Sequence, residues 1–87
     1  MKKNVKVRYA LTKLEYNSMY DTLKNYVLEV FDTEEECKKS VEDYALFYRE
    51  KNDIWEEENK YPILRFENIL NDVDFIEFEI HCVFSIV

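Results

Sequence analysis

The chain has 87 residues, with 19 carboxylates against 12 lysines and arginines, a formal net charge of −7 and no glycine. A single domain of this size buries only about 60–65% of the surface its unfolded chain exposes. Without glycine it has no GxxxxGKS/T phosphate loop, GxGxxG dinucleotide turn or GxSxG nucleophile elbow, because each needs a residue lacking Cβ. An acidic chain is also unsuited to binding nucleic acid directly, since phosphate neutralisation by cations supplies most of that affinity.

Apolar residues make up 47% of the chain and aromatics 16%, too many for a disordered acidic tail. The expectation is one folded domain spanning residues 1–87. Lys6, Arg8 and Lys13 interrupt any apolar core of a secretory signal. No window reaches the ~18 apolar residues of a membrane span. Cys37 and Cys82 lie far apart in sequence, which favours two free thiols in a reducing cytoplasm over a disulfide scaffold. No cofactor is implied.

The first predicted element is a strand. Val5, Val7, Tyr9 and Leu11 alternate with Lys6, Arg8, Ala10 and Thr12, a period of two. Glu15–Ser18 supplies a turn in which Asn17 stands in for the missing glycine. A second strand runs from about Tyr20 to Phe31. In regular alternation Tyr26, Leu28 and Val30 share one face and Val27, Glu29 and Phe31 the other. The two strands are expected to form a hairpin.

Asp32-Thr33 then precedes Glu34-Glu35-Glu36. Thr33 as N-cap with Glu36 three residues later reads as a capping box, and three carboxylates suit the positive end of a helix. Cys37, Val41, Tyr44, Ala45 and Tyr48 form an apolar stripe at helical spacing, which Leu46 and Phe47 widen. Glu34 with Lys38 and Glu35 with Lys39 are favourable i,i+4 pairs. The helix should end near Lys51, before Asn52-Asp53.

Ile54–Lys60 fits a helix extension or a capped loop, and Tyr61-Pro62 closes it. Residues 63–70 satisfy both strand and helix spacing, with the strand favoured. Asn71–Asp74 reads as a turn. In the last segment Ile76, Phe78, Ile80, Cys82, Phe84 and Ile86 alternate with Glu77, Glu79, His81, Val83, Ser85 and Val87. Such a one-sided strand needs a cover, and the Cys37–Tyr48 stripe is the only good one. The predicted fold is α+β: a small antiparallel sheet in β-β-α-β-β order with one amphipathic helix packed on one face.

Charge is unevenly distributed. Residues 1–14 carry five basic groups and no acid, so the remainder sums to −12. On structural grounds Lys6 and Arg8 should sit beside Glu77 and Glu79 as cross-strand pairs. On functional grounds the acidic remainder faces a basic partner. The densest acid, Glu34, Glu35, Glu36, Glu42, Asp43, Glu50, Asp53, Glu56, Glu57 and Glu58, lies between Glu34 and Glu58, its last run following Trp55. The ordinary account is a solvated helix face. The functional account makes Glu34, Glu35, Glu42, Asp43, Glu50, Asp53, Trp55, Glu56, Glu57 and Glu58 a partner-binding set, with charge steering the encounter and the aromatic ring supplying an anchor.

Other chemistry is thinly represented. Glu77, Glu79 and His81 share a strand face, but any charged strand produces that spacing, and His81 is the only histidine. No metal site or catalytic set is expected. Cys82 should point into the apolar face and be inert, and the glutamates around Cys37 oppose thiolate formation.

In size, charge and composition the chain resembles the small acidic inhibitors encoded by phages and mobile elements, anti-CRISPR proteins among them. That resemblance implies a non-catalytic inhibitor whose carboxylates take the places of phosphates in the basic groove of a nucleic-acid-handling protein or nuclease. Two other readings share the same features: an immunity protein or antitoxin for a basic toxin, and an adaptor that homodimerises through a free sheet edge. An enzyme is the least supported class.

Overall fold

In the computed structural model, which describes residues 4–86, the chain forms an antiparallel sheet of five strands and one helix. The elements are β1 (Val5–Asn17), β2 (Thr22–Phe31), α1 (Glu34–Arg49), β3 (Trp55–Lys60), β4 (Ile63–Asn68) and β5 (Phe75–Ile86). The spatial order is β2-β1-β5-β4-β3. The helix therefore carries the chain from one edge of the sheet to the other, and it covers one face in crossing. This is the predicted α+β arrangement. Ile63–Asn68 is the favoured strand, and Trp55–Lys60, left open between helix and loop, is a strand as well.

The helix starts where its capping residues place it. The Glu36 backbone N–H donates to Thr33 Oγ1 at 3.2 Å, and the Thr33 hydroxyl donates to the Glu36 carboxylate at 3.0 Å. The first bond satisfies a donor that has no partner within the helix. Cys37, Val41, Ala45 and Tyr48 are buried, as the stripe requires. They meet Leu11, Leu64, Phe66, Ile76 and Phe78 of the sheet, with Tyr9, Leu28, Phe31, Trp55 and Ile80 at the margin. Tyr44 is partly exposed and stacks on Phe78 at 5.7 Å. Leu46 and Phe47 do not widen the buried stripe. Both are exposed, because they point away from the sheet that α1 spans. Glu34 pairs with Lys38 at 3.0 Å, while no Glu35–Lys39 pair forms among the described residues.

Four details depart from the sequence expectations. β1 runs on to Asn17, so the turn lies at Ser18–Asp21, where Asp21 takes a left-handed φ of 48°. Asn17 instead accepts the Met19 N–H on its side chain. Second, β2 carries a bulge. Leu11 pairs with Glu29 but Thr12 with Val27, so Leu28 is an extra residue. A bulge breaks the alternation of faces. Tyr26, Glu29 and Phe31 consequently share the helix side, while Val27 and Val30 face the open side. Third, Lys6 and Arg8 do not meet Glu77 and Glu79. The register sets Lys6 opposite Ser85 and Arg8 opposite Val83, and both cations bridge to Asp32 instead, at 3.3 and 3.4 Å.

The fourth departure concerns β5. Ile76 and Phe78 are buried and Ile80 is half-buried, but Cys82, Phe84 and Ile86 are exposed. The reason is length. A 16-residue helix spans about 24 Å and a 12-residue strand about 41 Å, so α1 cannot cover all of β5. Cys82 is therefore not sealed in the core, whereas Cys37 is fully buried. Burial, reinforced by Glu34 and Glu29, pushes the Cys37 thiol above its ordinary range. No helix of the described residues is long and apolar enough to cross a membrane.

Candidate protein-docking surface

The face of the sheet opposite α1 has no covering element among the described residues, and the strand register decides which side chains it carries. Trp55 opens β3 on the helix side, with its ring edge-on to Tyr48 at 5.5 Å. Alternation from that fixed point sends Glu57 and Asn59 to the helix side and Glu56, Glu58 and Lys60 to the open face.

Three rows of paired residues then run across the sheet. Glu56 lies opposite Glu67, which lies opposite Phe75. Glu58 lies opposite Arg65, which lies opposite Glu77. Lys60 lies opposite Ile63, which lies opposite Glu79. Arg65 is the cation at the centre of this lattice. Its Nε reaches Glu67 at 2.8 Å and its Nη1 reaches Glu77 at 2.5 Å, while the guanidinium stacks over Phe75 at 4.0 Å. Glu56 and Glu58 are exposed and make no ion pair among the described residues. A shallow concavity of about 260 Å³ at this edge is lined by four glutamates, Glu56, Glu57, Glu58 and Glu67.

The ten acidic and aromatic positions singled out in the sequence do not form one patch. Glu34 and Glu35 lie at the start of α1, where Glu34 accepts a 2.6 Å hydrogen bond from the Tyr61 hydroxyl. That bond, with Lys38 beside it, holds the Glu34 carboxyl below its ordinary range. Glu42 and Asp43 project from the exposed side of α1, Glu50 is its C-cap, and Asp53 lies in the turn that follows. Arg49 joins Glu42 to Glu57, its Nε–Oε1 distance to Glu57 being 2.5 Å, and so clips the edge strand to the helix. Trp55 is half-buried at the core margin rather than free as an anchor. Only Glu56 and Glu58 of the set belong to the open face.

The sequence pattern does not single out Glu67, and it offers Glu77 and Glu79 as partners of the N-terminal cations or as a strand-face set with His81. The signal that finds them is parity: each shares its strand's polar face and lies beside β3 once β4 is placed between. The other end of the open face is basic, with Lys6 and Arg8 held on Asp32. Between the two ends, His81 Nε2 lies 2.9 Å from Thr12 Oγ1 and 3.3 Å from Glu79 Oε2. Among the described residues no group of three or more His, Cys, Asp or Glu is placed to hold a metal ion.

No family model, no curated protein and no solved structure matches this chain.

Proposed function

We propose that the protein is a non-catalytic binding protein whose acidic sheet end docks on a basic protein and occludes its nucleic-acid groove. One observation carries the reading: Glu56 and Glu67 face each other directly across β3 and β4, exposed, with Glu58 next along the same face. Like charges directly opposite one another destabilise a sheet. Arg65 holds Glu67 at 2.8 Å, but Glu56 and Glu58 have no cation among the described residues, and a Lys/Arg-rich partner would supply one. Spacing supports the same reading. Same-face carboxylates at i and i+2 recur about every 6.8 Å along a strand, twice the ~3.4 Å axial spacing of phosphates on one nucleic-acid strand. Glu56 with Glu58, and Glu77 with Glu79, form two such pairs on the open face.

The test is affinity capture from host lysate with wild-type protein and with Glu56→Lys/Glu58→Lys, at low and high salt. The reading requires that the wild type retain a nucleic-acid-binding protein or nuclease. Retention must fall as salt rises, be competed by duplex DNA, and be lost in the variant. Retention of the same proteins by both forms at both salt concentrations refutes it. If the captured protein is a basic toxin rather than a host factor, the surface stands and the role is that of an immunity protein.

A further inference from the structure

Beyond Tyr9 the sheet narrows to two strands. β2 pairs with β1 only from Tyr9 to Asn17, and β4 pairs with β5 only from Phe75 to Glu79. Among the described residues Val5–Arg8 and Val83–Ile86 therefore continue as a ribbon, paired only with each other. On the side that α1 covers farther along, the ribbon presents Val5, Val7, Phe84 and Ile86, which are 58, 38, 70 and 70% exposed. Lys6, Arg8, Val83 and Ser85 lie on its back. A two-stranded ribbon is marginal in water and needs its apolar face packed against something.

We propose that this face is the interface of a homodimer, with the ribbons of two chains packed face to face about a two-fold axis. Three features select a second copy as the occupant. The first is self-complementarity. A two-fold contact sets the same patch against itself, and the four side chains are apolar with no ionisable group among them.

The second is charge. Each chain carries −7, so copies associate only where their acids stay apart. The carboxylates of β3 and β4 lie beside Phe75–Glu79, at the opposite end of β5 from Phe84. Nine residues of strand place them about 30 Å away, several times the ~8 Å screening length at physiological salt. Asp32 does reach the ribbon, but Lys6 and Arg8 on the ribbon's back both bridge it, so this end carries no surplus of acid from that group.

The third is area. The four side chains leave on the order of 400 Å² of apolar surface bare per chain, within the range of the largest patches on small proteins. Two copies, with Tyr9 and Cys82 at the margin, bury at most about 1,000 Å², in the range of weak and transient contacts. The dimer is accordingly weak and concentration-dependent. The other long free edge, β2, is less suited to self-association, because the bulge at Leu28 interrupts the ladder a neighbouring strand would use.

Light scattering of the intact protein between about 10 µM and 1 mM tests this, because weak interfaces dissociate in that range. The wild-type mass should rise from that of a monomer towards twice that value. Phe84→Lys/Ile86→Lys should remain monomeric throughout with an unchanged circular dichroism spectrum, since both side chains are exposed. Glu56→Lys/Glu58→Lys should dimerise like the wild type. A wild type that stays monomeric to 1 mM overturns the proposal, and so does a folded ribbon variant that still dimerises. A second readout needs no variant: alkylation of Cys82 at the patch margin should slow as protein concentration rises. A rate independent of concentration also overturns the proposal.

Discussion

Replacing Glu56 by lysine should make this protein more stable and less able to bind its partner. The first effect follows from the register. Glu56 and Glu67 are a direct cross-strand pair, so their Cβ atoms lie about 5 Å apart and carboxylates splayed slightly outward from them about 6 Å apart. Two unit charges at that distance in water repel by about 0.7 kcal/mol, and salt at physiological strength roughly halves the figure. Turning the repulsion into an attraction of equal size yields about 0.7 kcal/mol in all. Lysine and glutamate are similarly disfavoured in strands, so no propensity term offsets the gain. For a domain of this size the melting temperature should rise by roughly 3–6 °C. Thermal unfolding followed by circular dichroism measures it, and most of the gain should vanish in 1 M salt, where the screening length is about 3 Å. A stable variant that fails to bind is the signature of a surface maintained against its own folding energy. A lower melting temperature for Glu56→Lys at low salt would refute the reasoning, because it would mean that Arg65 already neutralises Glu67 and no net repulsion acts on Glu56.

Three further outcomes follow from the same geometry. Arg65→Met removes ion pairs to Glu77 and Glu67 and a stacked contact on Phe75, with side chains 28, 22 and 49% exposed for Arg65, Glu77 and Glu67. After discounting for that exposure the loss should be about 2 kcal/mol, measurable by urea titration, and Glu77→Gln should recover little of it. Phe66→Ala empties a fully buried site where the ring stacks on Tyr48 at 5.1 Å. It should cost about 3–5 kcal/mol, enough to leave much of so small a domain unfolded at 37 °C. Tyr61→Phe removes the hydrogen bond that, with Lys38, depresses the Glu34 carboxyl, so an NMR titration should show Glu34 moving up towards the ordinary carboxylate range. Because the folded-state value is the lowered one, the clasp contributes above the ordinary carboxylate pKa and is lost as pH falls through the depressed value; the acid-side difference between wild type and variant should appear there.

Local chemistry made several features legible in the sequence. The capping box of Thr33 and Glu36 works within four residues, so it needs no tertiary information. The helical stripe and the alternation of β1 and β5 are likewise periodicities of a single segment. Together they identify an antiparallel sheet with one helix on one face, and the absence of glycine directs the turns towards asparagine and aspartate. Even the bare end of β5 was implicit in the lengths, because a helix rises less than half as far per residue as a strand.

What only the tertiary structure decided was which side chains meet. Register is a relation between distant segments, and a shift of one residue moves every side chain to the other face. It set Lys6 and Arg8 against Asp32 rather than Glu77 and Glu79, and it placed Glu67, separated from Glu56 by a chain reversal, directly opposite it. The bulge at Leu28 exchanged the faces of half of β2 without any glycine to announce it. The run Glu56-Glu57-Glu58 looked like one acidic patch, but strand geometry divides it: Glu57 goes to Arg49 on the helix side, while Glu56 and Glu58 go to the open face. Composition therefore determined that the chain carries a large negative surplus. Strand pairing alone determined that carboxylates gather at one end of the uncovered sheet face and that bare apolar side chains lie at the other end of the sheet, on the opposite face.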